Sequence, residues 1–414
     1  MITAVNPKQN SCLICCLGKS NFHISVSKYN YTGSRHQQKD FFRLYLNVTK
    51  QNLNLSCFLC RRHVVTSNGL AIQESVIAKN IPDKDDDLGR LEDPFGEGEF
   101  AINHTAYRQA LNLFLDTNID VYAPNATGNF PVIYFITGLG GIVPAEAHTL
   151  LLTQMASHGF VVVSVWKLGS PEDSFDPAWF EAAVEFVETR LENSLKKQEG
   201  YVSDFHVDYL HSFLSGHSAG THVAITQFQK NCLNYQGLIL IDAVDGNNPI
   251  PENVTITVIT PGQKVNFTVP TLQIVTGLDP VASVYGLACA PEELSGKRFF
   301  DAMTGPTWYV NATAYGHIDL MDPGYTNLND ALKFCPSDPD TPKYDYIQFL
   351  VGEIVSFVNG FLDPVGNCAL FDNLETTGLV GVNTENEFAS NGWQRCSPLQ
   401  CVLTPSSSPF FSFW

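Results

Sequence analysis

Gly216-His217-Ser218-Ala219-Gly220 has the G-x-S-x-G spacing of a nucleophilic serine. It stands between the apolar run His211–Ser215 and a helical stretch that begins at Ala219. A strand, a tight turn and a helix in that order expose a serine Oγ at a strand end, and the two glycines let the backbone pass where a Cβ would collide. The helix start also brings the Ala219 N–H and a positive dipole to the place where a tetrahedral oxyanion would form.

A serine hydroxyl reacts well only beside a general base, and that base needs an acid to orient it. Of the eleven histidines, only His222 and His317 follow Ser218. His222 lies one turn along the elbow helix, which leaves His317 as the expected base. In this chain order the acid lies between serine and histidine. Asp242 ends the apolar run Gly237–Ile241 and leads the choice, with Asp245 in the same loop and Asp279 after the next run as alternatives. The loop Thr137-Gly138-Leu139-Gly140-Gly141 follows another apolar run, and the Leu139 N–H is the expected second oxyanion donor beside Ala219. No phosphate-loop or dinucleotide fingerprint accompanies these glycines. The expected chemistry uses no cofactor and no metal.

The elements that must hold these residues are short apolar runs bounded by Pro and Gly, the pattern of buried parallel strands. They are Phe130–Ile136, Phe160–Val165, Ser212–Ser215, Leu238–Ile241, Leu272–Val275 and Trp308–Val310. Ile119–Pro124 alternates apolar and polar residues and reads as an edge or half-buried strand. Helical stretches at Ala145–His158, Pro177–Leu195, Ala219–Gln229 and Tyr346–Leu362 fall between or after the runs, which predicts a mostly parallel sheet with right-handed crossovers. The expected organisation is a poorly ordered extension over 1–92, an α/β-hydrolase domain over 93–365 and a loose tail over 366–414. Cys12/Cys15 and Cys57/Cys60 have C-x-x-C spacing, but the gap between the pairs is long for a zinc ribbon. The segment Asn247–Val269 reads as a lid over an apolar cleft or as a glycosylated surface loop.

The composition narrows the partners. With 44% hydrophobic and only 16% charged residues, the 414-residue chain has ample material for a large core. A net charge of -18 excludes nucleic acid as a natural partner, since phosphate binding needs a positive surface. A neutral, apolar small-molecule ester fits that charge. No apolar run reaches transmembrane length, and residues 1–22 lack a signal peptide's basic start and apolar core. Five glycosylation sequons within the expected hydrolase region, at Asn103, Asn125, Asn253, Asn266 and Asn311, and six cysteines after residue 230 nevertheless point to a secretory lumen or secretion, with a true start other than Met1. Cys289 and Cys335 both fall after strands whose ends share one rim, which predicts a bridge between them.

From about Phe100 to Leu362 the chain resembles chlorophyllases and, more distantly, platelet-activating-factor acetylhydrolases. The likeness rests on Phe130–Gly138, Ala156–Val162, the elbow, Leu240–Gly246, Cys289-Ala290-Pro291 and Tyr315–Asp322. It implies a Ser218–Asp242–His317 triad on an α/β-hydrolase fold, and cleavage of chlorophyll to chlorophyllide and phytol through an acyl-enzyme. Ala219 and Thr221 replace the arginine and last glycine of the family's usual GHSRGG, and Thr137 replaces a histidine in the glycine-rich loop. These changes border the cleft and leave another lipase or esterase as the nearest rival reading. A catalytically silent lipid- or pigment-binding protein is the rival from another class, and three intact triad residue types argue against it.

Overall fold

The computed structural model describes residues 93–108, 117–169, 176–232, 234–246, 254, 256–399 and 401–403, with the backbone of six short strands before residue 76. The chain divides into two units, Met1–Ser67 and Asn68–Trp414. In the first, Ile2–Asn6, Ser11–Cys16 and Ser56–Leu59 form one antiparallel sheet, and His23–Tyr29 pairs with Phe41–Asn47. The rest of the expected extension lies outside the described residues, as do the side chains of Cys12, Cys15, Cys57 and Cys60.

The second unit is built on a ten-stranded, mostly parallel sheet, as an α/β-hydrolase fold requires. Its strands are β1 (Ile102–Tyr107), β2 (Asn118–Pro124), β3 (Gly128–Ile136), β4 (Val161–Trp166), β5 (Phe205–His217), β6 (Gly237–Ile241), β7 (Thr271–Thr276), β8 (Thr307–Ala312) and β9 (Thr384–Ala389). They lie in the order β9-β8-β7-β6-β5-β3-β4-β2-β1, with Ile72–Ser75 paired outside β1. From β4 across to β8 every pairing is parallel; the outer pairings are antiparallel. Each apolar run predicted from sequence forms one of these strands, and the alternation within a run sorts side chains between two layers. Val132, Tyr134 and Ile136 face helices α2 (Ala178–Phe186) and α3 (Gly220–Lys230), while Ile133 and Phe135 face α1 (Thr149–Ser157) and the last helix, Lys343–Leu362.

Two expectations about the margins are corrected. Ile119–Pro124 is neither an edge nor half-buried: β2 is buried along its whole length, because β1 pairs outside it. Its polar member, Asp120, points not to water but to Arg108, His104 and the indole of Trp166, at 2.7–2.9 Å. Nor is the segment after residue 365 a loose tail up to residue 403. It supplies β9 along β8 and the turns of Cys368–Glu375, and it is tied down by the bridges Cys368–Cys396 and Cys232–Cys401. The reason is Trp308. It stands on β8 facing the tail, stacked on Phe371 and Phe388 with centroids at 5.4 and 4.7 Å and edge-on to Trp393. Residues 404–414 lie outside the described residues.

The predicted bridge between Cys289 and Cys335 is present, with Cα atoms 5.6 Å apart. The described part of Asn247–Val269 is anchored rather than lid-like, since Ile259, Val265, Phe267 and Val269 are buried in the core. If the tail is part of the domain, Phe371→Ala leaves a cavity beside Trp308 and lowers the unfolding free energy by about 3–5 kcal/mol, measured by urea titration. A change under about 1 kcal/mol would show that the ring contributes little packing.

Candidate active site

The elbow forms for the steric reasons its glycines announced. β5 ends at His217, α3 begins at Gly220, and Ser218 between them holds a positive φ of 55°. A Cβ on Gly216 would meet the Thr221 nitrogen at 2.8 Å, and one on Gly220 would meet the carbonyl oxygens of Ile136 and Thr137 at 2.5 Å. The strained serine is over-determined by its neighbours. Its N–H donates to the Ile241 carbonyl at 2.9 Å, and its carbonyl accepts from the Thr221 hydroxyl at 2.6 Å and from the Val244 N–H at 3.2 Å. Such a conformation costs on the order of 1–3 kcal/mol and persists only where packing enforces it.

His317 follows β8 and meets the elbow. The Ser218 hydroxyl donates to its Nε2 at 2.8 Å, and its Nδ1–H donates to Asp279 Oδ1 at 2.9 Å. All three side chains are nearly excluded from water. A hydroxyl on an imidazole that is itself held by a carboxylate is the arrangement that removes a serine proton as the oxygen attacks.

The acid on the imidazole is therefore Asp279, not Asp242 as expected. Strand order gives the reason. β7 lies between β6 and β8, so a carboxylate after β7 is the direct neighbour of a histidine after β8, and one after β6 is a strand further away. Asp242 is still close. Its carboxyl, fully buried at a positive φ of 46°, lies within 4.8 Å of the nearest ring nitrogen of His317 but makes no hydrogen bond to it. Burial first, and the adjacent Asp279 second, push the Asp242 carboxyl well above the usual carboxylate range, which favours its protonated form. The other alternative, Asp245, is engaged elsewhere. It accepts from the N–H groups of Val258 and Ile259, meets His222 Nδ1 at 3.2 Å and pairs with Arg298 at 3.0 Å.

Of the two expected oxyanion donors, Ala219 follows the serine directly and Leu139 lies in the neighbouring glycine loop. Ala219 is the N-cap of α3, where helix N–H groups have no intrahelical acceptor. Leu139 holds a positive φ of 54° in the turn Gly138–Gly141, and a Cβ placed on Gly138 would lie 3.5 Å from the Ser218 Cβ. The glycine loop thus rests directly on Ser218.

Two further histidines back the site, and sequence reasoning missed both. His217 Nε2–H donates to the backbone carbonyl of His317 at 3.1 Å, and its Nδ1 accepts from His148 Nε2–H at 3.3 Å. In the sequence His217 is visible only as the variable residue of the elbow, and nothing near His148 in the chain marks it. Atoms of His217, Asp242 and His317 lie within 4.8 Å of one another, a possible metal-ligand set by residue type. Yet both ring nitrogens of His217 and of His317 are already engaged, so a cation there would have to break those bonds.

Burial lowers the His148 imidazole from the ordinary 6.5 to about 3. Below pH 6.5 the unfolded chain takes up a proton that the folded chain refuses until about pH 3, so this group lowers stability as the pH falls through that window. The melting temperature should accordingly drop less between pH 7 and pH 4 in His148→Leu than in the wild type. Parallel slopes in a thermal melt series would show that His148 titrates normally in the fold.

Comparison with known proteins agrees with this architecture. The family model described as Chlorophyllase matches residues 92–374. The chain is 23% identical over 291 residues to chlorophyllase type 0 of Chenopodium album, covering 67% of this chain and 81% of that protein. To chlorophyllase-2 of Arabidopsis thaliana it is 24% identical over 253 residues, covering 59% and 77%. Ser218, Asp242, Asp279 and His317 all fall inside the matched stretch, which spans well over half the sequence. The chain belongs to the chlorophyllase family.

Proposed function

We propose that this protein is a serine carboxylic ester hydrolase acting on apolar esters of the chlorophyll type, with Ser218 as nucleophile, His317 as base and Asp279 as the orienting acid. The observation that carries the reading is the continuous hydrogen-bonded chain from Ser218 through His317 to Asp279, at 2.8 and 2.9 Å, on a strained elbow. Ser218 Oγ attacks the ester carbonyl while His317 Nε2 takes its proton, and the tetrahedral oxyanion turns to the N–H groups of Leu139 and Ala219. Collapse expels the alcohol, which receives the proton from His317 and leaves the acyl group on Ser218. Water, deprotonated by the same imidazole, then releases the acid and restores the serine. For a chlorophyll-like substrate the alcohol is phytol and the acyl group is the ring propionate.

Family membership supports the substrate class, and Thr137, Ala219 and Thr221 mark where this cleft departs from the usual family sequence. The secretory setting is part of the same proposal. Three disulfide bridges among six cysteines favour an oxidising compartment, and Asn125 is exposed for glycosylation. Asn103 is not, because its side chain is buried in β1 and donates to the Gly200 carbonyl at 2.8 Å. Among the described residues no helix is long and apolar enough to cross a membrane.

Assays against chlorophyll, a short p-nitrophenyl ester and an acetyl phospholipid separate the readings: preference for the phospholipid would move the protein to the acetylhydrolase type, and inertness towards all three would favour a binding protein. Ser218→Ala should lower kcat by about 10⁴-fold or more with the fold intact. Asp279→Asn should cost about a thousandfold, by spoiling the imidazole tautomer. Asp242→Asn should cost less than about tenfold, since the Asp242 carboxyl makes no hydrogen bond to the imidazole. A larger loss at Asp242 than at Asp279 would return the orienting role to Asp242.

A further inference from the structure

The rim beside the catalytic residues carries a surface that ester hydrolysis itself does not require. Residues 280–291, Pro-Val-Ala-Ser-Val-Tyr-Gly-Leu-Ala-Cys-Ala-Pro, contain no charged side chain, and the stretch begins immediately after Asp279. Most of it faces solvent: Val284 is 73% exposed, Tyr285 60%, Val281 44% and Leu287 39%. Phe334, 56% exposed, joins it from the loop after Pro323–Leu332, with its ring 5.6 Å from that of Tyr285. The loop backbone and the Tyr285 side chain are held in place. The Ser283 N–H donates to the Leu287 carbonyl at 2.8 Å, the Tyr285 hydroxyl donates to the Leu332 carbonyl at 2.9 Å, and the Cys289–Cys335 bridge fastens the two loops together. Leu139 and Leu168, also exposed, follow β3 and β4 and so lie along the same carboxyl edge of the sheet. Isolated exposed leucines need no explanation, but a contiguous apolar rim braced by a disulfide does.

We propose that Val281–Leu287 and Phe334 form a docking surface for a neutral or zwitterionic lipid–water interface, from which an apolar ester passes to Ser218 without crossing bulk water. The charge pattern selects this occupant. The net charge of -18 opposes anionic lipid, and the exposed charges that flank the rim segments in sequence, Lys333 before Phe334 and Glu292 and Glu293 after Pro291, give it no cationic face. A protein partner would need polar groups to fix its register, whereas Ser283 is the rim's one polar side chain apart from the internally bonded tyrosine. Hydrocarbon makes no such demand. The inference rests on the esterase reading for its purpose, but lipid binding is measurable without turnover.

The test is co-flotation of the full chain with phosphatidylcholine vesicles, comparing wild type with Val284→Asp/Tyr285→Asp and with the milder Val284→Ser/Tyr285→Ser. Wild type should float with the vesicles, and either folded double variant should bind at least about tenfold more weakly. Hydrolysis of a water-soluble p-nitrophenyl ester should stay unchanged while hydrolysis of a vesicle-embedded ester falls by a similar factor. Failure of wild type to float, or equal flotation of the variants, overturns the proposal. So does tighter binding to phosphatidylserine vesicles, which would assign the effect to Lys333, or loss of a self-associated dimer without loss of flotation, which would assign the rim to a second copy. Flotation without hydrolysis of any ester would leave the docking surface standing and remove the enzyme reading.

Discussion

The hydrogen bond between Ser218 and His317 joins residues almost a hundred positions apart, and most of the fold is needed to make it. The serine oxygen is aimed by a positive φ that two close backbone approaches enforce, at Gly216 and Gly220. The imidazole is aimed from two directions. Asp279 holds Nδ1 from the neighbouring strand end, and His217, the residue before Ser218, holds the His317 carbonyl. Because His217 belongs to the elbow, any shift of the serine is felt by the histidine's backbone as well as by its ring.

The interior behind that bond is polar, and burial drives several of its groups towards neutral forms. His148 and His217 are driven towards their neutral forms by burial, and the Asp242 carboxyl is driven the same way. In the proposed mechanism the His317 imidazole becomes charged, and a charged group beside it would oppose or over-stabilise that form. His148 and His217 fix geometry by hydrogen bonds, and the carboxyl bonded to the His317 ring is that of Asp279.

Much of this is legible in the chain. The apolar runs become the strands because continuous Val, Ile, Leu and Phe segments have nowhere to go but a sheet covered on both faces. The elbow is legible because its signal is local and steric. The acid is not, since Asp242 and Asp279 both end or follow apolar runs, and the choice depends on which strand lies beside β8. The family likeness favours Asp242, while the hydrogen bond goes to Asp279. The C-terminal segment is hard to read for a related reason. Phe371, Phe388 and Trp393 show no period among polar neighbours, and they acquire meaning only around Trp308. Asp120 makes the same point within a strand, where a polar residue in an alternating pattern meets a half-buried arginine instead of water.

The most direct test of the catalytic assignment is a crystal structure of the protein after reaction with a fluorophosphonate. The account predicts one adduct on Ser218 Oγ, its phosphonyl oxygen within hydrogen-bond reach of the Leu139 and Ala219 N–H groups, and Asp279 on Nδ1 of His317. An adduct on another serine, or Asp242 on Nδ1 with Asp279 turned away, would contradict it.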